Sequence, residues 1–168
     1  MTKISVEVKK LHKDAVIPTY GSLFAAGFDL YATEDMVIAP GETKMVQLGL
    51  AFAIPVGFEI QIRPRSGVSI KTKLRIPNSP GTIDADYRGE VAIPLENHNS
   101  GASEEGIYFI DGSIGDLAGV PDGSYFIRKH DRIAQGVLKE VPQALFAEVD
   151  ELDNTERGSG GFGSTGTR

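Results

Sequence analysis

The sequence predicts an all-β, jelly-roll-like domain with one short helix. Apolar residues recur with period two or in short buried-strand runs, Gly- and Pro-bearing turns separate those runs, and 20 Gly with 9 Pro favour short strands over long helices. At 168 residues the chain is long enough for one domain with a real core and short for two.

The elements follow in order. Ile4, Val6 and Val8 alternate with polar residues and read as the first strand. Ala25-Ala26-Gly27-Phe28-Asp29-Leu30 is an apolar strand holding a single acid. Further strands are expected at Met36–Ile38, Met45–Leu50, Phe58–Ile62, Val91–Leu95, Tyr125–Ile127 and Ile133–Val141. Turns are written at Ala39-Pro40-Gly41-Glu42, Pro55-Val56-Gly57 and Pro121-Asp122-Gly123. One short helix is expected over Ser66–Lys71, with a Ser-Gly step to cap it. Asn99–Gly123 is rich in Gly, Ser and acids but contains Ile107-Tyr108-Phe109-Ile110, a hairpin or small excursion. From Asp153 to Arg168 the chain is Gly-Ser-Thr rich with one aromatic, Phe162, too little apolar surface to order itself.

Composition excludes several classes. No cysteine occurs, which removes disulfides, thiolate zinc sites and cysteine nucleophiles. No run approaches the ~20 apolar residues of a membrane span, and Met1–Lys10 lacks an apolar leader core. The expectation is a soluble, cytoplasmic protein with no membrane partner. The net charge of −6 argues against a general nucleic-acid binder, although a few convergent arginines could still serve a small anion.

Five segments could carry chemistry, and each alone also has a plain structural reading. Arg157-Gly158-Ser159-Gly160-Gly161-Phe162-Gly163-Ser164-Thr165-Gly166 combines a guanidinium fork, backbone free to approach a phosphate, hydroxyl donors, and a ring able to stack on a base. It lacks the Gly-Lys-Ser/Thr of a Walker loop, and by itself could be a frayed terminus. Gly81-Thr82-Ile83-Asp84-Ala85-Asp86-Tyr87-Arg88-Gly89 sets two acids and a tyrosine in a turn, where a carboxylate could activate water or merely bond its own backbone. Pro64-Arg65-Ser66-Gly67 could be an anion nest or a helix cap. Asp29 needs a partner, either an arginine or a hydrated cation. Asp131-Arg132-Ile133-Ala134-Gln135 opens the last strand.

In this order the five segments resemble the five motifs of the trimeric dUTPase family, from Ala25 to Gly166. The resemblance implies a homotrimer that cuts dUTP to dUMP and pyrophosphate with Mg²⁺. It implies that Asp84 is the general base on a water attacking the α-phosphorus, and that Tyr87 packs under the deoxyribose and refuses a 2′-hydroxyl. Asn78 with the backbone of Gly81, Thr82, Ile83 and Asp84 would read uracil. Arg65, Ser66, Gly67 and Gln135 would hold the α- and β-phosphates. Asp29 would hold magnesium through water, the metal being chelated mainly by the triphosphate, while Arg132 would be a structural partner. Residues 1–152 would form the β domain. Residues 153–168 would form an arm in which Phe162 closes over the base, while Arg157, Gly163, Ser164 and Thr165 grip the γ-phosphate. The histidines, His12, His98 and His130, fall outside these roles.

The chain departs from the family pattern in three places. The link between Asn97 and Tyr125 is longer than usual by about 15–20 residues, a length that costs little closure entropy. This insertion, about residues 100–122, is expected on the surface, and its apolar run could dock on the trimer or a protein partner. His130 stands where a glycine often precedes the Asp-Arg pair, so that turn is expected to differ in shape. Pro80 stiffens the base-reading hairpin and cannot donate a hydrogen bond there. Two rivals share the fold: a dCTP deaminase, which places a glutamate where Pro94 stands, and a regulatory binding protein acting through the insertion.

Overall fold

A computed structural model describes residues 3–101 and 105–161, and is an all-β jelly roll with a single short helix. The strands are β1 (Glu7–Lys10), β2 (Phe28–Tyr31), β3 (Met36–Ile38), β4 (Thr43–Gln47), β5 (Leu50–Ala53) and β6 (Phe58–Arg63). The helix α1 (Ser66–Lys71) follows. After it come β7 (Leu74–Arg75), β8 (Gly81–Ile83), β9 (Ala92–Asn97), β10 (Ile107–Phe109), β11 (Ile114–Gly115), β12 (Tyr125–Ile127) and β13 (Arg132–Glu140). The neighbour orders are β1-β5, β11-β10-β12-β3, β2-β13-β6-β8 and β4-β9-β7. Inward residues of these sheets meet in one core, with Leu30, Ile38, Val46, Leu48, Ile93 and Ile127 fully enclosed.

Most expected strands form, with shifted bounds. The first begins at Glu7, although Val6 and Val8 still pack on the core. The expected strand Met45–Leu50 is instead two, ending at Gln47 and restarting at Leu50. Gly49 breaks it. Its φ is +63°, and a Cβ there would stand 2.7 Å from His12 Cβ and 2.8 Å from Thr33 Cγ2. The carboxylate of Glu90 accepts the Gly49 N–H at 3.0 Å, tying this corner to the start of β9. The helix bounds match expectation, but no side-chain cap forms at its start; Arg65 takes the capping position in extended geometry. The last strand stops at Glu140 rather than Val141.

The insertion is part of the architecture. β10 and β11 form a hairpin, and β10 then runs parallel to β12, extending that sheet. Ile107 is buried, and Tyr108 and Ile110 pack on the core, so the apolar run is covered by its own chain. Asn97 anchors the base of the excursion: its side-chain NH₂ donates to the carbonyls of Ile38 (3.0 Å) and Gly123 (2.9 Å), and its Oδ1 accepts the Asn99 N–H. Asn99 also donates to Gly123 O at 2.8 Å. Both amides are buried, and each is satisfied.

Beyond β13 the described residues form no strand or helix, and Leu145, Phe146 and Leu152 are exposed at 97%, 93% and 84%. No helix among the described residues is long and apolar enough to cross a membrane.

Asn97→Leu would remove the bonds to the Ile38 carbonyl and from the Asn99 N–H while keeping the number and branching of side-chain heavy atoms. We expect a loss of about 2–4 kcal/mol in denaturant unfolding. A loss below about 0.5 kcal/mol, within the scatter of neutral substitutions, would show that the buried amide is dispensable.

Candidate active site

Strand β13 gathers the polar residues of three segments. Its register sets Gln135 opposite Asp29 on one side and opposite Arg63 on the other. The Gln135 amide donates to the Pro64 carbonyl at 2.8 Å, which joins the last strand to the turn ahead of α1. Gly27 makes room for it: a Cβ there would stand 2.4 Å from Gln135 Oε1. A larger residue at 27 would displace that side chain.

Among the described residues the Asp29 carboxylate is paired with two arginines. Arg65 Nε lies 3.0 Å from Oδ1 and Arg132 Nη1 lies 3.3 Å from Oδ2. Arg65 Nη1 also donates to the Arg132 carbonyl at 3.1 Å. The Asp29 side chain is only 15% exposed, so this carboxylate is partly shielded, and its attraction to the guanidiniums is correspondingly stronger than in open water. It holds two like charges close together and orients the Arg65 fork at the start of α1. Ser66 and Gly67 follow Arg65 on that first turn, and both are exposed.

The Asp84 segment is built separately. Gly81, Thr82 and Ile83 pair with Ile62, Gln61 and Ile60, and β8 is the outer strand of its sheet. Asn78 lies across it, so that a Cβ on Gly81 would be 3.3 Å from the Asn78 amide nitrogen. Asp84 then opens a turn closed by the Tyr87 N–H on its carbonyl, and its side chain is exposed to water. Tyr87 Oη donates to the Glu90 carbonyl at 3.0 Å. Its ring occupies the space a side chain at Gly89 would need: a Cβ there would be 2.4 Å from Oη and 2.6 Å from Cζ.

In one chain these groups face different clefts. Asp84 lines a cleft of about 910 Å³ with Thr82, Asp86 and Arg88. Arg65 and Gly67 line one of about 380 Å³, and Ser66 and Gln135 one of about 540 Å³. Arg157 sits in a tight turn, donating from Nε to the Gly160 carbonyl at 2.9 Å. Phe162, Gly163, Ser164 and Thr165 lie outside the described residues. His12, His98 and His130 are all exposed. His130 has a φ of +69°, the left-handed geometry that a glycine adopts more readily. Its Nε2 is 3.0 Å from the Asp14 carbonyl.

Sequence reasoning missed the Asp29–Arg132 contact as a positioning device, and Gly27 and Gly89 as spaces reserved for Gln135 and Tyr87. Only the small residues themselves, at fixed distance from the polar ones, signalled this.

Burial pushes the Asp131 carboxyl above its ordinary range, and the Arg128 N–H it accepts at 2.8 Å pulls it partly back.

The sequence profile of the dUTPase family matches residues 13–102 and 122–166. A deoxyuridine 5'-triphosphate nucleotidohydrolase of Nautilia profundicola is 47% identical over 163 residues, covering 97% of this chain and 99% of the relative. One of Syntrophotalea carbinolica is 43% identical over 168 residues, covering 99% of each. The structure is similar to that of Staphylococcus bacteriophage 80alpha dUTPase with dUPNHPP, with a TM-score of 0.90 and 33% identity over 98% of this chain and 99% of that one. It is also similar to a mutant dUTPase from phage phi11 of S. aureus, described with a structural Mg(II) ion, with a TM-score of 0.81 and 30% identity over 88% and 98% of the two chains.

A raised carboxyl pKa costs stability once the group ionises; the cost is absent below the unfolded pKa and full above the folded one. Asp131→Asn keeps an acceptor for Arg128 and removes the charge. Its denaturation midpoint is therefore expected to exceed the parent's near neutral pH, with the advantage fading as pH falls through the raised folded pKa and gone below about pH 4. An advantage that grows on acidification would contradict this.

Proposed function

The chain belongs to the dUTPase family and its activity is hydrolysis of dUTP; from that premise we propose how its residues divide the reaction. The observation that carries the reading is that the family profile spans all five candidate segments, including Asp84, Arg65 and Gln135. The dCTP deaminase alternative is not favoured, since the matched relatives bear the nucleotidohydrolase name.

Asp84 takes a proton from water as the oxygen attacks the α-phosphorus, and pyrophosphate leaves with dUMP as the other product. Its exposure on the turn after β8 leaves it open to that water. The outer edge of β8, which lacks a neighbouring strand in the sheet order, supplies backbone donors and acceptors to the uracil edge, with Asn78 beside them. Mispairing there would strand polar groups, which is how a small pocket discriminates bases. Tyr87, held by Glu90 and given space by Gly89, is the platform under the deoxyribose. Arg65, Ser66 and Gly67 take the α- and β-phosphates with Gln135, and Arg157, Phe162, Gly163, Ser164 and Thr165 close as an arm within residues 153–168.

Among the described residues no group of three His, Cys, Asp or Glu side chains is arranged to hold a metal ion. Asp29, its charge already shared with two arginines, would hold a Mg²⁺ through water rather than as a direct ligand, with the triphosphate as the main chelator. The ion would neutralise phosphate charge. Because Asp84 and Arg65 face different clefts of one chain, the complete site is assembled from several copies, consistent with a homotrimer.

The test is pyrophosphate release from dUTP, dCTP, dTTP and UTP, with magnesium and with EDTA. We expect release from dUTP alone, lost with EDTA. Asp84→Asn should lower turnover about a hundred- to ten-thousand-fold while a non-hydrolysable dUTP analogue still binds; turnover within tenfold of the parent would remove Asp84 from its role. Gly89→Ala should narrow the preference for dUTP over UTP at least threefold by moving Tyr87, and an unchanged ratio would contradict the platform.

A further inference from the structure

The family profile passes over residues 103–121, yet the described part of that stretch packs against the far end of α1 and against Arg128, on the turn that leads into β13. Three contacts make the connection. At the hairpin tip, Gly112 rests on Lys71, the last residue of α1, so closely that a Cβ would lie 3.4 Å from Lys71 Cβ. Behind the helix, Tyr108 packs on Tyr125 at 5.6 Å between centroids, and Tyr125 Oη accepts the Lys73 N–H at 2.8 Å. Beside it, the Arg128 guanidinium lies 3.9 Å over the Phe109 ring and 3.9 Å from Asp111 Oδ2.

The third contact reaches furthest. The backbone of Arg128 is closed on Asp131 in both directions, N–H to Oδ2 at 2.8 Å and carbonyl to N–H at 3.0 Å. Arg132 comes next, and it holds Asp29 and, through its carbonyl, Arg65. Ile110 and Asp111 also share a cleft wall with Arg65, Gly67 and Arg132. The excursion thus supports α1 from its C-terminal end and the Arg128–Arg132 turn from its side.

We infer that residues 105–122 are a brace for the phosphate grip, with Phe109, Asp111 and Arg128 acting as positioning residues for Arg65, Ser66 and Gly67. The inference rests on the reading that those three hold the triphosphate. A brace of this kind sets affinity for the phosphate chain and leaves base recognition, built on β8, untouched.

The full-length protein would be titrated with deoxyuridine and with the imido analogue of dUTP in magnesium, and kcat and KM measured for dUTP. Phe109→Ala and Arg128→Ala should weaken the imido analogue and raise KM about three- to tenfold, with deoxyuridine affinity, which involves no phosphate, changed less than about twofold. Arg128→Lys, which keeps a cation over Phe109, should restore most of the loss. Asp111→Asn, a gentler change, covers the case in which an alanine variant fails to fold and should give the same sign. Equal losses for deoxyuridine and the analogue, or no loss in any variant, overturn the brace. Arg65→Lys separates the premise: if it weakens the analogue while the brace variants do not, the brace alone fails. If Arg65→Lys changes nothing, the phosphate assignment fails and the brace with it.

Discussion

Strand β13 is hydrogen-bonded along both edges, to β2 and to β6, and its register governs where the polar residues of this protein stand. A shift of one residue would turn Gln135 inward and carry Ala134 and Leu138 out of the core, so the hydrophobic pattern itself fixes the alignment. The irregularity between Arg132 and Ala134 adjusts that alignment at the strand's start, next to the carboxylate of Asp29. From one constraint follow the Asp29 pairing, the orientation of Arg65 and the tie from Gln135 to Pro64.

The electrostatics are local. A chain of net charge −6 places Arg65 and Arg132 around one shielded acid, so the arginines approach each other without the full cost of repulsion. Such a cluster keeps a net positive charge and a fixed geometry, which suits an anion whose oxygens must be met in set directions.

Elements dictated by local chemistry were legible in the sequence: the six-residue helix, the short strand Met36–Ile38, and the jelly-roll class itself. Features dictated by distant residues were not. The break at Gly49 depends on His12, Ala15 and Thr33, all of them on other segments of the chain. Asp29 was open between an arginine and a cation because sequence spacing does not say which side chain reaches it. The hairpin of the insertion was legible from the apolar run Ile107–Ile110, but its parallel pairing with β12 and its tie to the buried Asn97 amide were not, because both partners lie elsewhere in the chain. The candidate site was legible as residue types in order; their division among separate clefts was not, because that depends on how far β8 lies from the start of α1 in space.

That division has a genetic side. If Asp84 of one copy serves the Arg65 of another, two defective alleles, one lacking each residue, would be inactive alone yet could complement in a mixed assembly. Conversely, a single defective allele expressed beside the normal one would spoil as many sites as there are altered subunits and no more, since each lesion silences only the site its own residue enters. The inheritance pattern of this protein's mutations would thus be set by which cleft each altered residue lines.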